Sequence, residues 1–418
     1  MGKQEGARRG ADRGFVGFGF GPIQTGLMLF EAVQSGSFAR YTVAEVDQSL
    51  VDAVRANGNA VTINVAGLDG VQAHRLSGIR LCNPGVAADR EELIASIGES
   101  EEMATAVPSV AMYSAGGDAS IAAMLAEAGG PGLPRIVYTA ENDNFAAEKL
   151  ERDVGARLAG GRPANLQILN TVIGKMSGVI SSEGEMRELG LSPLVPGFQK
   201  CVLVEEFNKI LISRVTLPGF VRGIRVFEEK DDLLPFEEAK LYGHNAIHAL
   251  LGFLARLRGY TVMSDIRQDR ALLDFGRQAF TEESGVSLVR KHGRGASADP
   301  LFTPRGWSAY AEDLLQRMTN PWLHDRVARI IRDPVRKLGW NDRFFGTMRL
   351  ALRQGVHPRL MAVGAAAALV CLQEQEKDRS GPRELLSRVW GNEASGDLQE
   401  ACIQLVVESL EKLPEWTA

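Results

Sequence analysis

The chain is short of cysteine, of long apolar runs and of positive charge, and each shortage removes a class of protein. Four cysteines, Cys82, Cys201, Cys371 and Cys402, are scattered through 418 residues. With no CxxC pair and no short Cys/His cluster to close a tetrahedral zinc site, they are expected to be reduced, mostly buried thiols. The longest apolar run, Leu360 to Leu372, covers about 13 residues against the roughly 20 that span a bilayer, and predicts a core helix. Lys plus Arg number 47 against 52 Asp plus Glu, a net charge of −5. That leaves no large positive field to displace phosphate counterions, so a dedicated nucleic-acid binder is excluded. No internal repeat and no low-complexity tract is present. Met1 to Arg13 is polar and basic rather than a secretory signal, and a cytoplasmic protein with a frayed first dozen residues is expected.

What is present is an ordinary globular composition, 45% apolar and 24% charged, in a length suited to two or perhaps three domains. From Gly14 to about Ile180, short apolar runs alternate with amphipathic stretches, the pattern of a parallel sheet covered by helices. The spacing predicts strands at 14–20, 41–46, 103–108, 135–140 and 166–176, and helices at 23–32 and 48–57. Loops are expected at SAGGDAS and GGPGLP, and two further β-like runs at CVLVEEFNKILI and GFVRGIRVF. After Leu233 strand signals nearly vanish and apolar residues recur at helical spacing. The expected fold class is an α/β N-terminal domain with a parallel-core sheet, 1–230, followed by an all-α C-terminal domain, 231–418.

Phe15 to Ala32 reads FVGFGFGPIQTGLMLFEA, a β run, a glycine cluster and a helix. Glycine is needed where a strand turns sharply into a helix and where backbone must approach a pyrophosphate too closely for a Cβ. The helix start then offers free N–H groups to that anion. Gly19, Gly21 and Gly26 fit, with Phe20, Pro22 and Ile23 in the same turn, while Gln24 stands at the third glycine of a G-x-G-x-x-G form. A purely structural turn would use the same glycines. The second strand ends at Glu45, about 24 residues after Gly21, near the spacing at which a carboxylate accepts from adenosine ribose hydroxyls and repels a 2′-phosphate. NAD rather than NADP is therefore expected in a Rossmann-like domain. Glu45 and Asp47 could instead cap the helix that follows.

Phe236 to Tyr260 is an amphipathic helix with a polar cluster near its start. At about 100° per residue, Lys240, His244, His248 and Asn245 fall at about 0°, 40°, 80° and 140°. A partly desolvated lysine among other donors can act as general base toward an alcohol. Asn245 could polarise the resulting carbonyl and His248 could bind a neighbouring hydroxyl. A solvated helix start would look similar. His74, His292, His324 and His357 carry no partner pattern.

Together these segments resemble the polyol-specific long-chain dehydrogenases, most closely the mannitol-1-phosphate 5-dehydrogenases. The resemblance implies an NAD-binding Rossmann domain, a helical second domain and metal-free oxidation of sugar alcohols. Lys240, Asn245 and His248 match the family's catalytic lysine, asparagine and histidine in register. TAVPSV at 105–110 looks like the family's turn beside the nicotinamide, implying Thr105, Ala106 and Val107 as cofactor contacts. TAENDN at 139–144 resembles the ACEN segment and implies Asn142 as a second oxyanion donor. RDPVRKLGWNDRFFG at 332–346 is similar to the R-K-L-x-x-x-D-R segment, and Arg336, Lys337 and Arg343 offer a cationic group for a substrate phosphate; ordinary surface charges paired with Asp333 and Asp342 are the alternative. Two departures stand out. Gln24 replaces a glycine, and NTVIGKM at 170–176 keeps Asn170 but has Gly174 and Lys175 where the family has aspartate and arginine.

The resulting expectation is an NAD-dependent dehydrogenase that interconverts a secondary alcohol of an acyclic polyol, phosphorylated in the first reading, with the ketose. Lys240 is the acid/base, Asn142 and Asn245 hold the oxygen, and Asn170, Lys175 and His244 line the substrate. No metal, membrane or nucleic acid is involved, and the chain is a monomer or homodimer. The rivals are a hexuronate reductase of the tagaturonate or fructuronate type, a specialised-pathway polyol dehydrogenase of the same family, an S-adenosylmethionine-dependent methyltransferase, and a catalytically silent NAD sensor. The methyltransferase lacks its usual acidic residue before the first glycine and leaves the lysine helix unexplained.

Overall fold

A computed structural model describes residues 13–129, 132–294 and 299–416. The frayed terminus expected at Met1 to Arg13 lies, but for Arg13, outside the described residues, as does the centre of the GGPGLP loop. The chain divides into two compact units between Leu233 and Leu234.

Among its described residues the first unit carries twelve strands: β1 (Gly14–Phe18), β2 (Arg40–Ala44), β3 (Ala60–Ala66), β4 (Val71–Ser77), β5 (Ile79–Cys82), β6 (Ser100–Thr105), β7 (Arg135–Thr139), β8 (Leu166–Ile173), β9 (Ser177–Ile180), β10 (Cys201–Glu205), β11 (Ile210–Ser213) and β12 (Phe227–Lys230). Eight form one sheet in the order β12-β11-β8-β7-β6-β1-β2-β5. From β5 to β8 every pairing is parallel, and β11 then adds antiparallel to β8. Counting only the six parallel strands in chain order, the sequence across the sheet is 3-2-1-4-5-6, the doubly wound dinucleotide-binding order, and the expected α/β parallel-core fold is borne out. Its first strand is buried on both faces, with Phe15 in one apolar cluster and Val16 and Phe18 in the other. A continuous apolar run with period-two assignment to two cores is what a helix-covered parallel strand requires.

The second sheet, β4-β3-β10-β9, was not separable in the sequence. CVLVEEFNKILI, read as one β-like run, is two strands in different sheets, β10 and β11, and most of GFVRGIRVF lies before β12.

The second unit is helical, and among its described residues the only β pairing is a single bridge between Val262 and Arg326. The Leu360 to Leu372 run lies in the helix Arg359–Glu376, buried from Met361 to Leu369 and again at Cys371 and Leu372. No helix among the described residues is long and apolar enough to cross a membrane. All four cysteines are free and buried.

Candidate functional site

In the first unit, strand order reverses between β1 and β6, the place where doubly wound sheets open a crevice at their carboxyl ends. Both predicted segments meet there. Gly19 N–H donates to Ala44 O (2.9 Å) and Ala106 N–H to Phe18 O (2.9 Å), so the glycine turn and the Thr105–Val107 turn are stitched side by side. Gly19 has φ +85°, and a Cβ on it would lie 2.7 Å from Ala106 O; only glycine fits. Gly21 has nothing within 4 Å of where its Cβ would be. Its freedom from a side chain serves no packing need in the chain, which is the property a closely approaching phosphate uses. Gly26 has the opposite role, since a Cβ there would overlap the Val204 side chain. It brings the helix onto β10.

Two of the expected cofactor contacts also serve the fold. Gln24 is fully buried, and its amide fills the space that Gly17 leaves by having no Cβ. Asp47 caps the helix Gln48–Ala56, accepting from Ser49 N–H (3.0 Å), Leu50 N–H (3.3 Å) and the Ser49 hydroxyl (2.6 Å). Those bonds hold its carboxyl below the usual range, the Ser49 hydroxyl first. Glu45 remains at the end of β2, where one carboxylate oxygen accepts from Asp47 N–H at 2.8 Å.

One acidic residue here escaped the sequence reading. Glu141 is buried and accepts from Val107 N–H (2.9 Å), from the Thr105 hydroxyl (2.8 Å) and from the Tyr113 hydroxyl. It fixes the turn expected beside the nicotinamide, and its only sequence signal is adjacency to Asn142. Asn170 bridges β8 to the helix Ala146–Gly155, accepting from Ala147 N–H (2.9 Å) and donating to Glu148 (2.8 Å). Lys175 is buried and donates to the Phe207 carbonyl at 2.9 Å. In this structure both side chains are engaged with their own unit.

In the second unit the predicted helix starts at Leu234 and runs to Leu257, but its middle turn, Ala239–Asn245, is π-helical. A π turn bonds residue i to i+5 and marks functional sites more often than chance. The 100° wheel puts Asn245 far around from Lys240, whereas a π turn brings residues five apart onto the same side. The Lys-x4-Asn-x2-His spacing is one π step followed by one α step. Gly243 permits this turn to lie against Phe280 and Trp307, and the Ser284 hydroxyl donates to the Tyr242 carbonyl within it at 2.7 Å.

Two buried groups on this helix are shifted. Burial, helped by the positive charge of Arg343 and opposed by Glu237, brings Lys240 down from 10.5 to about 8. His244 is buried and is held well below its ordinary value by burial first, then by His248, Arg317, Lys240 and Arg343. Those surroundings favour the neutral imidazole. Lys240, His244, His248 and Arg343 are therefore neighbours, as the sequence suggested, and Arg317, from the helix Pro304–Met318, joins them with no signal in its spacing. Arg336 is exposed and pairs with Asp333 (3.4 Å). Lys337 is turned inward onto the carbonyls of Arg332 and Asp333, and burial, with the charges of Arg343 and Arg336, brings it down to about 8.

Residues 232–390 match the mannitol dehydrogenase C-terminal domain. That match lies within the second unit but for its first two residues. This bears out the resemblance to polyol-specific dehydrogenases, and the Lys240 helix stands at the start of that domain. The chain is also similar in fold to a D-sorbitol dehydrogenase in substrate-free form, at 14% identity and a TM-score of 0.77, covering 98% of this chain and 94% of that one. A second likeness is to the Pseudomonas fluorescens mannitol 2-dehydrogenase in a ternary complex with NAD and D-mannitol, at 14% identity and 0.71, covering 97% and 93%.

Proposed function

We propose that the chain is an NAD-dependent dehydrogenase that interconverts a secondary alcohol of an acyclic polyol and the corresponding ketose. The observation that carries this is the π-turn cluster at the head of the mannitol dehydrogenase C-terminal domain, with its lysine brought to about 8. The likeness in fold to a mannitol dehydrogenase bound to NAD supports the cofactor. So does the fit of the first unit: an open Gly21, a helix start behind it, and a carboxylate at the end of β2. Gly19 to Ile23 would hold the pyrophosphate, Glu45 the adenosine ribose, and Thr105 to Val107 the nicotinamide end. When bound, NAD supplies the hydride acceptor.

The residues of the chain do the proton work. In oxidation, neutral Lys240 takes the hydroxyl proton as the carbon loses its hydride, and Asn245 donates to the oxygen as it becomes a carbonyl. In reduction the Lys240 ammonium returns the proton. Arg317 and Arg343 both act on His244, and each is paired with a carboxylate, Asp313 at 3.1 Å and Asp342 at 2.6 Å. A phosphorylated polyol is the reading we retain; its phosphate would compete with Asp342 for Arg343. A panel of free and phosphorylated ketoses and of hexuronates, with NADH consumption followed by absorbance, tests substrate class and activity together. Phosphorylated ketoses should be turned over fastest; NADH bound but consumed with none of them would leave only a sensor.

A further inference from the structure

One carboxylate of the first unit is buried with no cation beside it. Glu141, two residues past the end of β7, is 8% exposed. Val107 N–H donates to one of its oxygens at 2.9 Å, and the hydroxyls of Thr105 (2.8 Å) and Tyr113 donate to the other. Every bond runs toward the carboxylate, the pattern of an ionised group, which only accepts. Among the described residues Glu141 forms no ion pair, and Lys149, the cation of the segment that follows, is taken by Asp143 at 2.5 Å.

A charge taken out of water is costly, and buried charges are ordinarily paired. The three donors lessen that cost but bring no positive charge. Glutamine has nearly the same shape, and its carbonyl could accept from Val107 while the hydroxyls turned toward its amide, so packing alone does not call for a carboxylate. Its place gives the charge a use. With Glu45 at the end of β2 for the adenosine ribose, a dinucleotide that crosses the point where strand order reverses puts its other half over the ends of β6 and β7. Thr105 ends β6, Thr139 ends β7, and Ala140 N–H donates to the Thr105 carbonyl at 2.9 Å. Glu141 is therefore held against the turn that this half meets.

We propose that Glu141 is the counter-charge of the oxidised nicotinamide ring, a specificity-determining residue that makes the first unit favour NAD+ over a neutral dinucleotide of the same shape. The ring is a cation in NAD+ and neutral in NADH, so the same carboxylate biases the bound cofactor toward its oxidised form. It acts across the turn by its field. A unit charge acting at about 12 Å through an effective dielectric of about 20 amounts to about a tenfold effect on affinity. The inference rests on the NAD-binding part of the dehydrogenase reading and on no residue of the second unit.

The test uses the full chain and two probes of one shape, NAD+ and benzamide adenine dinucleotide, whose ring carries no charge. Calorimetric titration of the wild type should show NAD+ binding about tenfold tighter than the neutral analogue. Glu141→Gln should bring the two dissociation constants within about threefold of each other, by weakening NAD+ alone. Tyr113→Phe, which removes a hydrogen bond and no charge, should keep the wild-type preference. A wild type that binds the neutral analogue as tightly as NAD+ would overturn the proposal, and that comparison needs no variant to fold. So would a Glu141→Gln protein that loses affinity for both probes in equal measure, since Glu141 would then only support the turn. In either case both probes bind and the NAD reading stands. If the wild type binds neither probe, the NAD reading fails and the proposal falls with it.

Discussion

The pH dependence of turnover follows from the surroundings of Lys240. An ordinary lysine at 10.5 would be neutral at pH 7 in roughly one molecule in 3,000, whereas at about 8 it is neutral in roughly one in ten, some 300-fold more usable base. Polyol oxidation requires the neutral amine. Its kcat/KM should rise about tenfold per pH unit up to about 8 and then level off. Ketose reduction requires the ammonium, so its kcat/KM should be flat below about 8 and fall above it. Because Arg343 adds to burial in lowering Lys240, Arg343→Gln should move both limbs upward. Initial rates by NADH absorbance in both directions, from pH 6 to 10, measure this directly. A limb near 10.5, profiles in the two directions that do not mirror one another, or a limb that moves down in Arg343→Gln would refute the reasoning.

The two helix-start glycines should part company. Gly21→Ala meets no atom within 4 Å and should leave thermal stability unchanged while weakening NADH binding in a fluorescence titration. Gly26→Val drives a side chain into Val204 and should cost about 1–3 kcal/mol in denaturant unfolding. Glu45→Ser removes the carboxylate at the end of β2 and should raise the NADP-to-NAD ratio of kcat/KM at least tenfold; an unchanged ratio would remove Glu45 from the ribose site. Glu283 accepts from Leu360 N–H (2.7 Å) and Met361 N–H (2.9 Å) at the start of the buried helix Arg359–Glu376. Glu283→Ala should lower stability by about 1–2 kcal/mol, seen as a fall of several degrees in Tm.

Five strands of the parallel sheet were legible as short apolar runs between amphipathic stretches, whereas β5, IRLC, which follows β4 directly, was not. The second sheet was not. Its strands β3 and β4 fall within a stretch whose β4 member, VQAHRLS, is mostly exposed or half-buried, so no apolar run marks it. At the site, Lys240, Asn245 and His248 were found because they share one helix and a family spacing, although the ideal wheel misjudged Asn245; a π turn has no sequence signature as strong as its effect. Glu141 and Arg317 went unread for another reason. Each acts on a residue that chain folding, not local spacing, brings to it, 34 residues away for Glu141 to Val107. Gln24 and Asp47 show that a polar residue in the expected place along the chain can also serve the fold, Gln24 by packing against Gly17 and Asp47 as a helix cap.

The claim on which the functional account turns is that the Lys240 amine carries the proton of the redox step. Lys240→Ala, compared with wild type for ketose-dependent NADH oxidation and for NADH affinity, tests it most directly. The account predicts turnover lower by about 10²-fold or more, in line with the loss of a general acid/base, with NADH affinity nearly unchanged. Equal turnover in the two proteins would contradict it.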